Sequence, residues 1–105
     1  MSMAEGSSIE NMCVYILRYR TGACYQRAAI LYYMLNRAGY EVKYVKGVDY
    51  YTGGSPHRWC MINTANGWRH IDPTPVIGLP NFYMVTDYAI SPYFGWDRTV
   101  YPKAV

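Results

Sequence analysis

The spacing of the apolar residues changes at Gly39, and this change limits the possible fold more than any other feature of the chain. Before it, four residues recur at i, i+4, i+7 and i+11 and so share one helical face: Cys24, Ala28, Leu31 and Leu35. After it, residues 40–48 are rich in Val and Tyr, as strands are. The pattern predicts a helix that begins near Ala23, stops at a left-handed Gly39 and is followed directly by a strand.

The flanking segments extend this pattern in both directions. Ser7 opens an S-x-x-E sequence of the capping-box form, and apolar residues follow it at helical spacing, which predicts a first helix over 8–19 after a tail at 1–7. Downstream of a Gly-rich loop, three more strands are predicted: 57–63, 67–72 and 82–85. Thr86 is expected to start one helical turn, with irregular packing beyond it.

Helices followed by a run of strands predict an α+β fold, with N-terminal helices packed on a small, mainly antiparallel sheet. The chain has 105 residues, which is the size of one domain, so residues 8–105 are assigned to a single domain.

The composition argues against several classes of protein. At 51% hydrophobic residues the chain is too apolar to be disordered. Its net charge of +3 is scattered, whereas nucleic-acid binding usually needs a clustered basic patch, so no nucleic-acid partner is expected. No apolar stretch approaches the ~18–20 residues of a membrane span. Three cysteines leave at least one thiol unpaired, which argues against a disulfide scaffold.

Cys24 falls in the first turn of the predicted second helix. There the helix dipole favours a thiolate, and the unpaired backbone N–H groups can bind a developing oxyanion. The alternative interpretation is that Cys24 is a small apolar residue on the buried stripe, and on position alone the two are equally supported.

A thiol nucleophile needs a base to accept its proton and a further group to orient that base. His57 opens the predicted second strand with Trp59 on the same face, and Asp72 closes the third strand. Cys24, His57 and Asp72 therefore supply the three roles of a catalytic triad. Taken singly, His57 is more often a structural histidine and Asp72 a turn residue before proline. His70 shares a face with Asp72 and is an alternative base.

Whether His57 reaches Asp72 depends on the hairpin between the two strands. If Ile62 lies opposite Gly67, His57 lies directly opposite Asp72. A tight turn at the Asn-Gly pair is the stronger local signal, but it would move His57 four residues out of register, about 13 Å along the strand. The wider turn over 63–66 is therefore predicted, because the triad requires it.

The remaining thiols and imidazoles have simpler explanations. Five residues could supply metal ligands in number, but none shows C-x₂-C or H-x₃₋₅-H spacing, so neither a metal nor another cofactor is expected: Cys13, Cys24, Cys60, His57 and His70. Cys60 is out of phase with His57 on its strand and is predicted to be a core thiol. Cys13 lies on the apolar stripe of the first predicted helix and is interpreted as structural.

Three motifs in order, G-x-C-Y at 22–25, H-x-W at 57–59 and D-P-T at 72–74, resemble the bacterial branch of the transglutaminase-like superfamily. The resemblance extends over about residues 22–102. It implies a papain-like core in which Cys24 is the nucleophile, His57 the imidazole and Asp72 the orienting carboxylate. It also implies attack on a peptide or protein amide, a thioester intermediate, and transfer to water or an amine, with hydrolysis favoured.

The resemblance suggests further features of the site and of the parent protein. Tyr19, Tyr25 and Trp59 are expected to line the substrate groove, and Tyr19, Arg20 or Tyr25 are candidates for a second oxyanion donor. The bacterial branch is associated with surface proteins, which suggests an extracellular parent. The competing hypothesis is a non-catalytic peptide- or cell-wall-binding module on the same fold.

Overall fold

The computed structural model describes residues 24–74 and 79–105, and within these ranges a helix is followed by a sheet. Its elements, in chain order, are α1 (Cys24–Arg37), β1 (Val42–Asp49), a 3₁₀ turn (Tyr50–Thr52), β2 (Ser55–Thr64), β3 (Gly67–Ile71), β4 (Tyr83–Val85), α2 (Asp87–Ile90) and β5 (Phe94–Trp96). The predicted tail at 1–7 and helix over 8–19 lie outside the described residues. The assignment of 8–105 to a single domain stays a prediction.

The end of α1 confirms the predicted stop at Gly39. Gly39 has φ +96°, its N–H donates to the carbonyl of Asn36, and the N–H of Tyr40 donates to the carbonyl of Leu35. These two bonds form a Schellman motif, which satisfies carbonyls that the helix leaves without a partner. The chain therefore turns sharply out of α1 and enters β1 within a few residues.

The strands form one sheet in the order β4-β3-β2-β1-β5, and every pairing in the described part is antiparallel. The α+β prediction with a mainly antiparallel sheet is confirmed. The strand β5 was not predicted: it has three residues, too few for an alternating pattern, and pairs Trp96 with Gly47 at the edge of β1. The helical turn predicted at Thr86 is confirmed, since the Thr86 side chain caps α2.

Apolar side chains cover both faces of the sheet, so the sheet separates two clusters. On one face α1 packs against β1 and β2, and the cluster contains Ala28, Leu31, Leu35, Val42, Cys60 and Ile71. On the opposite face the larger cluster contains Val45, Trp59, Met61, Phe82, Ile90, Phe94 and Ala104. We call this second side the closed face, because the chain after β3 folds over it. The described helices include none with the length and apolar character needed to cross a membrane.

Candidate functional site

A buried pair of side chains, His57 and Asp72, joins the start of β2 to the end of β3. The Nε2 atom of His57 lies 2.7 Å from Oδ2 of Asp72, a short charge-assisted hydrogen bond. His57 is 4% exposed and Asp72 6%. Two residues that the sequence placed at separate strand ends are therefore in direct contact.

The contact forms in a register that differs from the predicted one. Thr64, not Ile62, lies opposite Gly67, so the hairpin closes through residues 65–66 and the wider turn was wrong. The alternative, a tight turn centred on Asn66 and Gly67, is also not formed. Gly67 instead ends the turn with φ +100°, which a glycine adopts without strain.

The expectation that only a directly opposed pair can meet was also wrong. The ladder ends with Cys60 opposite Ile71, and its continuation by one step sets Asp72 opposite Trp59. His57 is two residues further along the same face, which makes it the diagonal neighbour of Asp72. Diagonal Cα atoms are about 7–8 Å apart, within reach of two side chains.

Asp72 is held from both sides, which fixes the carboxylate that faces His57. Its backbone N–H donates to the carbonyl of Phe82, and its Oδ1 accepts a hydrogen bond of 2.9 Å from the backbone N–H of Thr74. One carboxylate oxygen therefore shapes the turn that follows β3, while the other bonds His57. Asp72 is therefore both a turn residue and the hydrogen-bond partner of the His57 imidazole.

Aromatic rings enclose the imidazole of His57. Trp59 stacks on it with 5.8 Å between ring centroids and 29° between planes, and Phe94 lies 4.7 Å away. Trp59 has no exposed surface. Trp59 therefore lies beneath the imidazole, and its side chain does not line a groove.

A second His–Asp pair, His70 with Asp87, lies on the same closed face. The single N–H of the Trp59 indole donates to Nδ1 of His70 at 2.9 Å, and Nε2 of His70 lies 2.6 Å from Oδ1 of Asp87. His70 is fully buried, and burial lowers its pKa, with the Asp87 carboxylate opposing the shift. His70 does not bond Asp72, so the structure gives no support to His70 as the alternative base.

Asp87 is a residue that the sequence reading missed. Its position after Thr86 indicates only the beginning of a helical turn, which is a local signal. The contact with His70 joins residues 17 apart, and no spacing rule in the sequence indicates it.

Cys24 is the first residue of α1, and Tyr25 follows it. The side chains of these two residues, and all of Tyr19, lie outside the described part of the structure. The joining of Cys24 to the His57–Asp72 pair stays a prediction, as do the groove roles of Tyr19 and Tyr25. The described part of α1 packs on the face of β2 that carries Cys60, opposite the face that carries His57.

Cys60 is a core thiol, as predicted, on the face opposite His57. Its Sγ donates to the carbonyl of Ala28 at 3.2 Å, and it has no exposed surface. Burial raises the pKa of this thiol, and the negative charge of Asp72 acts in the same direction. Cys60 is thus kept protonated. Within 24–74 and 79–105, no three His, Cys, Asp or Glu side chains are grouped as metal ligands would be.

Comparison with known proteins gives a family assignment. A family model described as the transglutaminase-like superfamily matches residues 4–73, two thirds of the 105 residues. The matched segment contains Cys24, His57 and Asp72 and ends one residue after Asp72. No curated protein and no solved structure matches the chain.

Proposed function

Because the chain belongs to the transglutaminase-like superfamily, we propose that it performs cysteine-dependent acyl transfer or hydrolysis at an amide of a peptide or protein. The observation that carries this proposal is the buried His57–Asp72 bond of 2.7 Å inside the matched segment. An imidazole bonded to a carboxylate is the arrangement that a thiol nucleophile requires of its base.

In the proposed reaction the Cys24 thiolate attacks the amide carbonyl. The carbonyl oxygen becomes an oxyanion, for which the backbone N–H groups at the start of α1 are candidate donors. When the tetrahedral intermediate collapses, the C–N bond breaks and the amine leaves with a proton from the His57 imidazolium. Water or a second amine then gives up a proton to His57 and attacks the thioester, the C–S bond breaks, and the Cys24 thiolate and His57 imidazolium are regenerated.

The direction of the His57 ring supports this division of roles. Since Nε2 bonds the Asp72 carboxylate, Nδ1 is the nitrogen that would exchange a proton with the thiol. Asp72 would keep the proton of neutral His57 on Nε2 and stabilise the imidazolium form. We infer a papain-like arrangement, in which the helix that begins with the nucleophile packs on the sheet that carries the base. Hydrolysis is favoured over cross-linking, because nothing described would exclude water from the thioester.

Alkylation of the cysteines with iodoacetamide between pH 5 and 9, read by peptide mass spectrometry, tests the proposal. We expect Cys24 to react at pH 5–6, because a neighbouring imidazolium stabilises the thiolate. Cys60 is the internal control and stays unmodified, since it is buried and protonated. His57→Gln keeps a hydrogen-bonding side chain of similar size and should move the reaction of Cys24 to higher pH.

Two results would count against the proposal. One is a wild-type Cys24 that titrates near ~8.5 like a free thiol, which would favour the binding module. The other is a folded His57→Gln variant, checked by circular dichroism, in which Cys24 still reacts at pH 5–6.

A further inference from the structure

The proposed reaction does not use Asp87, yet this residue belongs to a chain of contacts that ends at His57. The Oδ2 of Asp87 accepts from the backbone N–H of Ala104 at 3.2 Å, and the Asp87 N–H donates to the Ala104 carbonyl at 2.7 Å. These bonds tie the beginning of α2 to a residue that is itself fully buried. The Asp87 carboxylate is therefore anchored before it meets His70.

The hydrogen bonds of His70 to Asp87 and Trp59 allow only one arrangement of protons on the His70 ring. An indole N–H can only donate, so Nδ1 of His70 must be the acceptor of the bond from Trp59. The proton of neutral His70 is then on Nε2, where it is donated to Asp87 over 2.6 Å. Both ring nitrogens of His70 are thereby used, and the direction of each bond is fixed by its partner.

The indole of Trp59 has little room to move in any direction. A Cβ on Gly47 would lie 2.5 Å from its Cη2 atom, so the six-membered ring rests directly on the β1 backbone. Phe94 packs at 5.0 Å and Trp96 meets the indole edge-on at 6.0 Å. The bond to His70 sets the remaining tilt of the ring plane, and this plane is the one that stacks on His57.

We propose that Asp87 is a positioning residue for His57. Through His70 it fixes the plane of the Trp59 indole, and the indole holds the His57 imidazole in line with the Asp72 carboxylate. The effect on turnover rests on the proposed function, whereas the effect on the orientation of the His57 ring does not.

The chain has only two histidines, so ¹⁵N spectra of the imidazole rings test the proposal directly. The His57→Gln variant assigns the two sets of signals. We compare Asp87→Ala, which removes both acceptors, with Asp87→Asn, whose one amide oxygen can still accept from Nε2 of His70 while the Ala104 N–H loses its partner. Asp97→Ala is the matched control: the Asp97 carboxylate also accepts from a backbone N–H, that of Thr99, but it is exposed and its hydrogen bonds are made to Thr99 alone among the described residues.

At pH 7.5 we expect wild-type His70 to carry its proton on Nε2. Asp87→Ala should change the ¹⁵N shifts of both His70 and His57, Asp87→Asn should return the His57 signals to the wild-type values, and Asp97→Ala should leave them in place. The rate of Cys24 alkylation at pH 6 should fall roughly tenfold or more in Asp87→Ala and recover in Asp87→Asn, since small displacements of a catalytic group are costly.

The proposal is overturned if the His70 signals move in Asp87→Ala while those of His57 do not. It is also overturned if Asp87→Asn disturbs His57 as much as Asp87→Ala, because the effect would then be a general loss of packing. If wild-type Cys24 proves an ordinary thiol, the proposed function fails, and the His57 spectra still decide the role of Asp87.

Discussion

The two histidines of this chain form nearly the same bond in very different surroundings. Each uses Nε2 to meet an aspartate, at 2.7 Å for His57–Asp72 and 2.6 Å for His70–Asp87. The two differ in how Trp59 meets them: it donates its only N–H to Nδ1 of His70 and stacks its ring face on His57. His70 has fixed partners at both ring nitrogens and no exposed surface, which suits a structural role, and the proposed base is His57. The His–Asp pair alone therefore does not identify a catalytic site.

The largest expected difference between the pairs comes from amide substitutions. In each variant one amide oxygen replaces two acceptors, so one donor loses its partner: His57 or the Thr74 N–H in Asp72→Asn, and His70 or the Ala104 N–H in Asp87→Asn. We expect Cys24 alkylation at pH 6 to fall roughly a hundredfold or more in Asp72→Asn, because Asp72 bonds the proposed base directly. In Asp87→Asn, where the changed residue bonds His70 and not His57, we expect a fall of about threefold or less. Peptide mass spectrometry of the two variants side by side measures this. Equal losses would show that the pairs do not differ in role.

The next effect concerns the tryptophan that both pairs share. Trp59→Phe keeps a ring beneath His57 but removes the N–H that His70 accepts and leaves a space beside it. We expect the free energy of unfolding in urea to fall by about 2–4 kcal/mol.

The matched control for this substitution is Trp68→Phe. Trp68 packs at the margin of the same cluster and is partly exposed, so its variant should lose clearly less stability. Equal losses would mean that the bond to His70 contributes nothing beyond apolar burial.

A smaller effect is the pH dependence that His70 gives to the stability of the fold. Burial lowers the pKa of His70, so below about 6.5 the unfolded chain binds a proton there that the folded chain does not. The free energy of unfolding should therefore fall as the pH drops through this range.

Urea unfolding of wild type and His70→Gln at both pH values isolates this contribution. Glutamine offers an acceptor to Trp59 and a donor to Asp87 but does not titrate, so its stability should decline less at pH 5.5. An equal decline in the two proteins would place the loss on another group.

The parts of the fold that could be predicted are those with a local signal. The helical stripe of α1, the left-handed Gly39 and the alternating strands are visible in short windows of sequence. His57 and Asp72 could be found because each is part of a motif and the strand order brings their ends together. Their roles with Cys24 stay predictions.

The parts that could not be predicted depend on which distant residues meet. The register followed from a two-residue turn that ends at a left-handed Gly67, one step away from the Asn-Gly turn that the dipeptide suggested. The contact of His70 with Asp87 is set by how α2 folds onto the closed face. Such contacts arise from packing of the whole domain and leave no pattern in any one segment.

The hairpin of β2 and β3 has a consequence for the order in which the two pairs can form. His57 and Asp72 belong to one unbroken stretch of chain and can come together as soon as that hairpin closes. The bond of His70 to Asp87 joins the hairpin to α2, and the bonds of Asp87 to Ala104 involve a residue later still in the chain. During synthesis, the proposed base and its carboxylate can thus be joined before the residues that complete the second pair have emerged from the ribosome.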